Sequence, residues 1–297
     1  MSTARQLAGA PITWGVCEVP GWGTMLPPDR VSAEMASLGL TATELGPVDD
    51  YLPLDAAAIR GALDPHGLRL LGGFVPLVLH VESERDAAVA QARRVASAMA
   101  DAGASTFVLA IVQDADWSAP QPLDDAGWAT LAAGVDAVAA ATAQLGLTTV
   151  VHPHQGTLIE RRAEVDRLAE LSTVAWCLDP GHLALGGYDP IEFVDAWGDR
   201  VAHVHLKDVD LKVAERLNAG ELTLMAAVQE GLFVPLGAGD GRIAELVAAL
   251  DARGYDGWMV LEQDCAITGA VPEPGAGPVL DAQASLRFLE TVPAGAR

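Results

Sequence analysis

Short runs of β-branched and apolar residues alternate with longer Ala- and Leu-rich stretches of helical period from one end of the chain to the other. The strand-like runs are residues 11–16, 41–45, 69–75, 106–112, 148–152, 174–178, 201–206 and 258–262. Helical periodicity occupies residues 28–38, 55–65, 84–102, 124–145, 161–171, 190–196, 242–253 and 278–291, so a helix follows every strand. Eight such units predict a (β/α)8 barrel. Gly39, Gly67, Gly103, Gly146 and Gly254 stand just before strand patterns, where a helix ends most easily in a left-handed residue. The rhythm breaks after the seventh strand, where about 35 residues intervene before residue 242. Residues 210–230 there read as helical and residues 231–241 as a glycine-rich loop, an expected insertion at the catalytic face. Short βα loops are expected elsewhere, apart from a long last loop at residues 269–278. No linker-like segment interrupts the chain, so residues 1–297 read as one domain.

Composition narrows the function. A chain of 297 residues that is 51% hydrophobic and 20% charged can fill a large core. With 18 Lys and Arg against 40 Asp and Glu, its net charge of -22 repels nucleic-acid phosphates and anionic lipid, so neither is expected as a partner. Cys17, Cys177 and Cys265 show no CxxC spacing and read as reduced thiols of a cytoplasmic protein. The longest uncharged stretch, residues 137–159, is interrupted by Gln144, His152, Pro153 and His154, and no targeting or spanning segment is expected.

The chemistry concentrates late in the chain. Five of the 7 histidines lie between positions 152 and 205, four of them at strand ends: His152, His154, His203 and His205. In a parallel barrel these ends converge on one mouth. Residues i and i+2 of a strand share a face, which aligns His203, His205 and Lys207. His203, one step deeper, reads as a buried residue bonded to a neighbour, whereas His205 reads as a ligand. Asp179 and Glu262 each follow an apolar run, where a carboxylate needs a partner. Capping is the alternative for Asp179, but ligation is favoured. One divalent ion held by His152, Asp179, His205 and Glu262 is therefore expected, with His154 as an alternative ligand or substrate contact. Such a nitrogen and oxygen set suits Mn²⁺ or Co²⁺, with Zn²⁺ or Mg²⁺ also possible. Glu44 either enters the site or caps the next helix. Lys207 beside a dication is expected to have a lowered pKa and to hold a substrate oxygen or relay a proton; the alternative is a surface pair with Asp208. Residues 237–241, Gly-Ala-Gly-Asp-Gly, read as a turn rather than a dinucleotide site, and the cysteines as packing residues.

These motifs resemble the xylose-isomerase-like TIM-barrel superfamily over nearly the whole chain, and within it the inosose dehydratase branch. The resemblance is carried by Ile12-Thr13-Trp14-Gly15-Val16, by Thr43-Glu44-Leu45-Gly46-Pro47, by His152-Pro153-His154-Gln155-Gly156-Thr157, by Leu178-Asp179-Pro180-Gly181-His182-Leu183 and by His203 to Val209. Gly231 to Pro235, Gly239-Asp240-Gly241 and Glu262-Gln263-Asp264 extend it. The superfamily holds its metal with an acidic residue on strand five, Asp on six, His on seven and Glu on eight; Asp179, His205 and Glu262 match the last three. Strand five departs, with His152-Pro153-His154 where epimerases carry a Glu. Because epimerases move a proton with two carboxylates, the departure favours a lyase. The resemblance thus implies dehydration of a small polyhydroxylated keto substrate, first of all 2-keto-myo-inositol. Glu262, Lys207 and His182 would be catalytic, and Glu44, Trp14, His154, His182 and Lys207 would contact substrate. A sugar isomerase or epimerase, β-elimination on an oxidised glycoside and a non-catalytic sugar-binding barrel are the alternatives, and a homo-oligomer is open.

Overall fold

The barrel strands sort their side chains by parity, with a shift within β3 between Leu71 and Phe74, and the two sets pack into different cores. On one face Leu109, Val151, Trp176, Leu178, Val204, Leu206, Met259 and Leu261 join the large cluster between strands and helices. On the other, Ala8, Ala42, Leu71 and Val260, with Val108, Val150 and Cys177, fill the barrel interior with smaller residues. The interior residues fix the inward parity of each strand, and that parity later aims the site.

The computed structural model describes residues 5–293. Strands β1 (Gln6–Gly9), β2 (Ala42–Glu44), β3 (Arg69–Leu77), β4 (Thr106–Ile111), β5 (Thr148–Val151), β6 (Ala175–Leu178) and β7 (Val201–Leu206) come first. A two-residue ribbon, β8 (Asp208–Val209) and β9 (Phe233–Val234), pairs antiparallel, and β10 (Trp258–Leu261) completes the set. The barrel closes in the order β1-β10-β7-β6-β5-β4-β3-β2, all parallel. Helices α1 (Pro28–Ser37), α2 (Ala56–Leu63), α3 (Arg85–Asp101), α4 (Asp125–Ala143), α5 (Arg162–Leu171), α6 (Pro180–Leu185), α7 (Pro190–Trp197), α8 (Leu211–Asn218), α9 (Leu224–Gln229), α10 (Ile243–Ala252) and α11 (Pro278–Thr291) follow their strands. By length and composition α4 is apolar enough to cross a membrane; in the barrel it is an outer helix with Leu131, Val135 and Val138 buried. The five helix-ending glycines all have positive φ, from 69° at Gly67 to 102° at Gly103.

The first strand differs from expectation. Residues 11–16 do not form it; Pro11–Trp14 is a 3-10 turn and the strand lies earlier, with Gln6 paired to Trp258. Pro11 has no N–H to give a ladder and Gly15 turns left-handed at φ 78°, so an apolar run became a turn. The insertion after β7 splits into α8 and α9, enclosed by the β8–β9 ribbon. The segment joining β1 to α1 is also long, contrary to the expectation of a short loop, whereas the long last loop before α11 was expected; α6 was not anticipated at all.

Candidate metal centre and active site

Continuing the inward parity of Val150, Cys177, His203 and Val260 by two residues reaches His152, Asp179, His205 and Glu262. Their ligand atoms all lie within 4.8 Å of one another, and all four residues are buried. His152 Nε2 stands 3.3 Å from Asp179 Oδ2, and His205 Nδ1 stands 3.1 Å from Glu262 Oε2 and 3.9 Å from Asp179 Oδ2. Asp179 serves both readings at once: Oδ1 accepts the His182 N–H that starts α6, at 3.0 Å, while Oδ2 faces the cluster.

Glu44 caps no helix. Its Oε1 accepts Nε2–H from His203 at 2.8 Å and from His205 at 3.0 Å, which leaves His205 Nδ1 aimed at the cluster. Although burial opposes ionisation, His205 and His203 bring the Glu44 pKa down to about 2. His203 is thus a buried, satisfied residue, as its depth predicted.

Lys207 is completely buried, its Nζ 2.7 Å from Glu262 Oε1, 2.8 Å from Asp264 Oδ1, 3.4 Å from Asp179 Oδ2 and 3.0 Å from His182 Nε2. The expected lowering of its pKa is reversed: burial acts that way, but the three carboxylates outweigh it and hold Lys207 well above the ordinary lysine value. The surface pairing with Asp208 does not occur either. Asp208 instead accepts N–H groups from Gly237 at 2.8 Å, Gly239 at 3.1 Å and Gly241 at 2.8 Å, so the glycine loop's donors are filled by a residue of this chain and none is left for a dinucleotide. The stem of Lys207 lies on α6, where a Cβ at Gly181 would come within 2.8 Å of its Cγ.

His154 and His182 stack with centroids 3.9 Å apart. Burial lowers the pKa of both, to about 3 for His154, with His152 and Lys207 adding to the effect there. His154 Nδ1 donates to the Gln155 carbonyl at 2.8 Å, and His182 Nδ1 accepts the Gln155 N–H at 3.3 Å. Trp14 does not reach the mouth: it is fully buried and its Nε1–H donates to Glu34 at 2.9 Å, tying the first loop to α1. Two participants were missed. Asp264 is buried beside Lys207, and burial pushes its pKa up to about 6; its inward parity two residues beyond Glu262 was the available signal. Trp117 lines the cavity over this cluster from a loop that no periodicity predicted. Burial raises the Cys17 and Cys265 thiols to about 12 and Cys177 to about 11, so none is a nucleophile near neutrality.

The donor set fits a divalent cation. Asp179, Glu262 and Asp264 are three buried carboxylates around one lysine, and Glu44 is a fourth, buried against His203 and His205, an arrangement short of positive charge. His205 Nδ1, 3.1 Å from Glu262 Oε2, makes no hydrogen bond to it and is left as an orphaned buried nitrogen. A hard or borderline ion accepts this mixture of imidazole and carboxylate.

Known proteins place the chain. A family model described as xylose isomerase-like TIM barrel matches residues 32–292. An inosose dehydratase from Geobacillus kaustophilus (strain HTA426) is 33% identical over 267 residues, covering 86% of each chain. The rhizopine catabolism protein MocC from Rhizobium meliloti is 31% identical over 87% of this chain and 81% of its own. The solved D-allulose 3-epimerase from Methylomonas sp. superposes with a TM-score of 0.67 at 17% identity, over 97% of both chains. By fold, by the aim of its strand ends and by these likenesses, the chain belongs to the xylose isomerase-like TIM barrel family.

Proposed function

We propose that the protein is a metal-dependent hydro-lyase that dehydrates a keto-cyclitol or keto-sugar, 2-keto-myo-inositol before others. The observation that carries this reading is the contact between Lys207 Nζ and Glu262 Oε1 at 2.7 Å, with His152 in place of a second carboxylate on β5. Moving a proton from one face of a carbon to the other requires an acceptor on each face; elimination requires one base and one acid. Relatives named inosose dehydratase support the same choice.

Glu262 takes the proton α to the ketone, a carbon–carbon double bond forms, and the β-hydroxyl leaves as water with a proton from charged Lys207. The resulting enol relaxes to a dione, with net loss of one water and no change of redox state. Glu262 Oε1 then returns its proton directly to Nζ, which resets both groups. His182 Nε2, 3.0 Å from Nζ, holds the amine in line, and His154 presents its free Nε2 edge to substrate hydroxyls. A divalent ion on His152, Asp179, His205 and Glu262 would supply the positive charge that polarises the ketone and stabilises the enolate oxygen.

Incubation with keto-inositol under Mn²⁺ or Co²⁺ should produce a dione chromophore. Deuterium entering the substrate from solvent without dehydration would instead establish an epimerase, and tight binding without turnover under any metal a sugar-binding barrel.

A further inference from the structure

The cavity above the polar cluster has a volume of about 580 Å³. A six-carbon keto-cyclitol fills only roughly 150 Å³ at the density of an organic crystal. The two ends of this cavity differ in chemistry. Its floor carries Glu44, His152, His154, Glu262 and Asp264; the rest of the lining includes the apolar group Val19, Trp22, Phe74, Trp117, Leu224 and Met225, with Glu18 and the Asp49–Arg94 ion pair beside it. A bare polyol places hydroxyls on every side, and the apolar group offers them no partner.

The outer wall is held in place before any ligand arrives. Trp117 has φ 56°, a left-handed conformation that a bulky residue adopts only when its surroundings impose it. The turn imposes it: Asp114 Oδ1 accepts the N–H groups of Asp116 at 3.1 Å and Ser118 at 3.0 Å, and the Trp117 N–H donates to the Asp114 carbonyl at 3.2 Å. The indole lies nearly parallel to Phe74, 6.2 Å away at 16°, and edge-on to His154 at 5.9 Å. It nevertheless stays 37% exposed. Across the cavity the Trp22 Nε1–H donates to the Cys265 carbonyl at 2.8 Å, which fixes a second indole. An aromatic tier therefore runs from the rim to His154 and on to His182, where substrate chemistry takes place.

From this volume and lining we infer that the outer compartment is a binding subsite for an aromatic or apolar substituent carried on the keto ring. The site then accepts an O-substituted keto-cyclitol or keto-sugar as well as the bare ring, with the substituent in the outer compartment. The inference rests on the reading of the floor as a keto-polyol site.

The test compares phenyl β-D-glucopyranoside with methyl β-D-glucopyranoside by calorimetry on the full-length, metal-loaded protein. Neither carries a ketone, so binding is read without turnover. Burial of the phenyl ring should make it at least ~10-fold the tighter ligand. Trp117→Ala should bring that ratio close to one, and Met225→Ala, which lines the same cavity and packs with the cluster of Trp22, should reduce it as well. Equal affinities in the unaltered protein, no phenyl glycoside binding, or a ratio that survives both substitutions overturns the subsite. Thermal melting of each variant separates loss of the wall from loss of the fold. Turnover of keto-inositol on the same preparation judges the dehydration reading by itself. Turnover with a ratio of one overturns the subsite alone, and a high ratio without turnover supports the subsite while removing the dehydratase assignment.

Discussion

Strands β1 to β4 and strands β5, β6, β7 and β10 share one alternation of inward and outward residues, yet they end differently. In the first half the interior positions run Ala8 on β1 with Ala10 just past it, and Val108 and Ala110 on β4, apolar to the end of the strand. In the second half the inward position just past or at the end of each strand is His152, Asp179, His205 or Glu262. Glu44 is the charged residue that breaks the apolar half, and its carboxylate is engaged by His203 and His205 of the other. The difference teaches that the buried polar cluster requires no separate architecture. It needs one polar replacement at one fixed parity on each of four neighbouring strands, over a half-barrel that remains conventional core.

The comparison breaks most completely at Asp179. Asp179→Asn keeps an oxygen to cap α6 but removes the charge facing the cluster, so the fold should persist while metal content falls to background and kcat/KM drops by more than ~10³-fold. That exceeds the 10–100-fold usual for a ligand's supporting partner. Elemental analysis beside circular dichroism checks it. On the apolar half Phe107→Ala should do the reverse, costing ~3–5 kcal/mol in denaturant unfolding because Phe107 is fully buried, with metal stoichiometry unchanged in the folded fraction. Lys207→Met should keep metal and fold and lower kcat ~10²-fold, the scale of a positioned acid, while Lys212→Met on α8 should do little. Equal activities of these two variants would return Lys207 to a structural role. The smallest effect tests the bridge between the halves: Glu44→Gln should weaken metal binding by ~10–100-fold, read by competition with a chelator, through a less firmly oriented His205.

Much of this was legible in the chain because strand parity is a local property. Residues 201–206 and 278–291 coincide with β7 and α11, and the four ligand candidates fell on the inward parity without knowledge of any contact. What was misread depends on partners distant in sequence. Lys207 was assigned a depressed pKa because its attracting carboxylates, Asp179, Glu262 and Asp264, arrive from two other strand ends. Trp14 reads as a strand residue near the mouth until Glu34 of α1 is known to take its indole proton. The helix α6 opens Pro180-Gly181, residues of low helix propensity, and exists because Asp179 caps it and Lys207 lies over it. Trp117 belongs to a turn set by Asp114, which no hydrophobic period announces.

The absence of a side chain at Gly181 has its own consequence for catalysis. The four-carbon stem of Lys207 occupies the space where a Cβ would stand, 2.8 Å from Cγ, and so lies pressed between α6 and the carboxylates. A lysine free in water samples many rotamers, worth ~2 kcal/mol of entropy, and ordering it during a reaction would add to the barrier. Here that loss is incurred once, when the protein folds, so in the proposed dehydration each turnover would begin with the ammonium already immobile. Gly181 thereby links the conformational entropy of the folding chain to the speed of the proposed proton transfer, which it never touches.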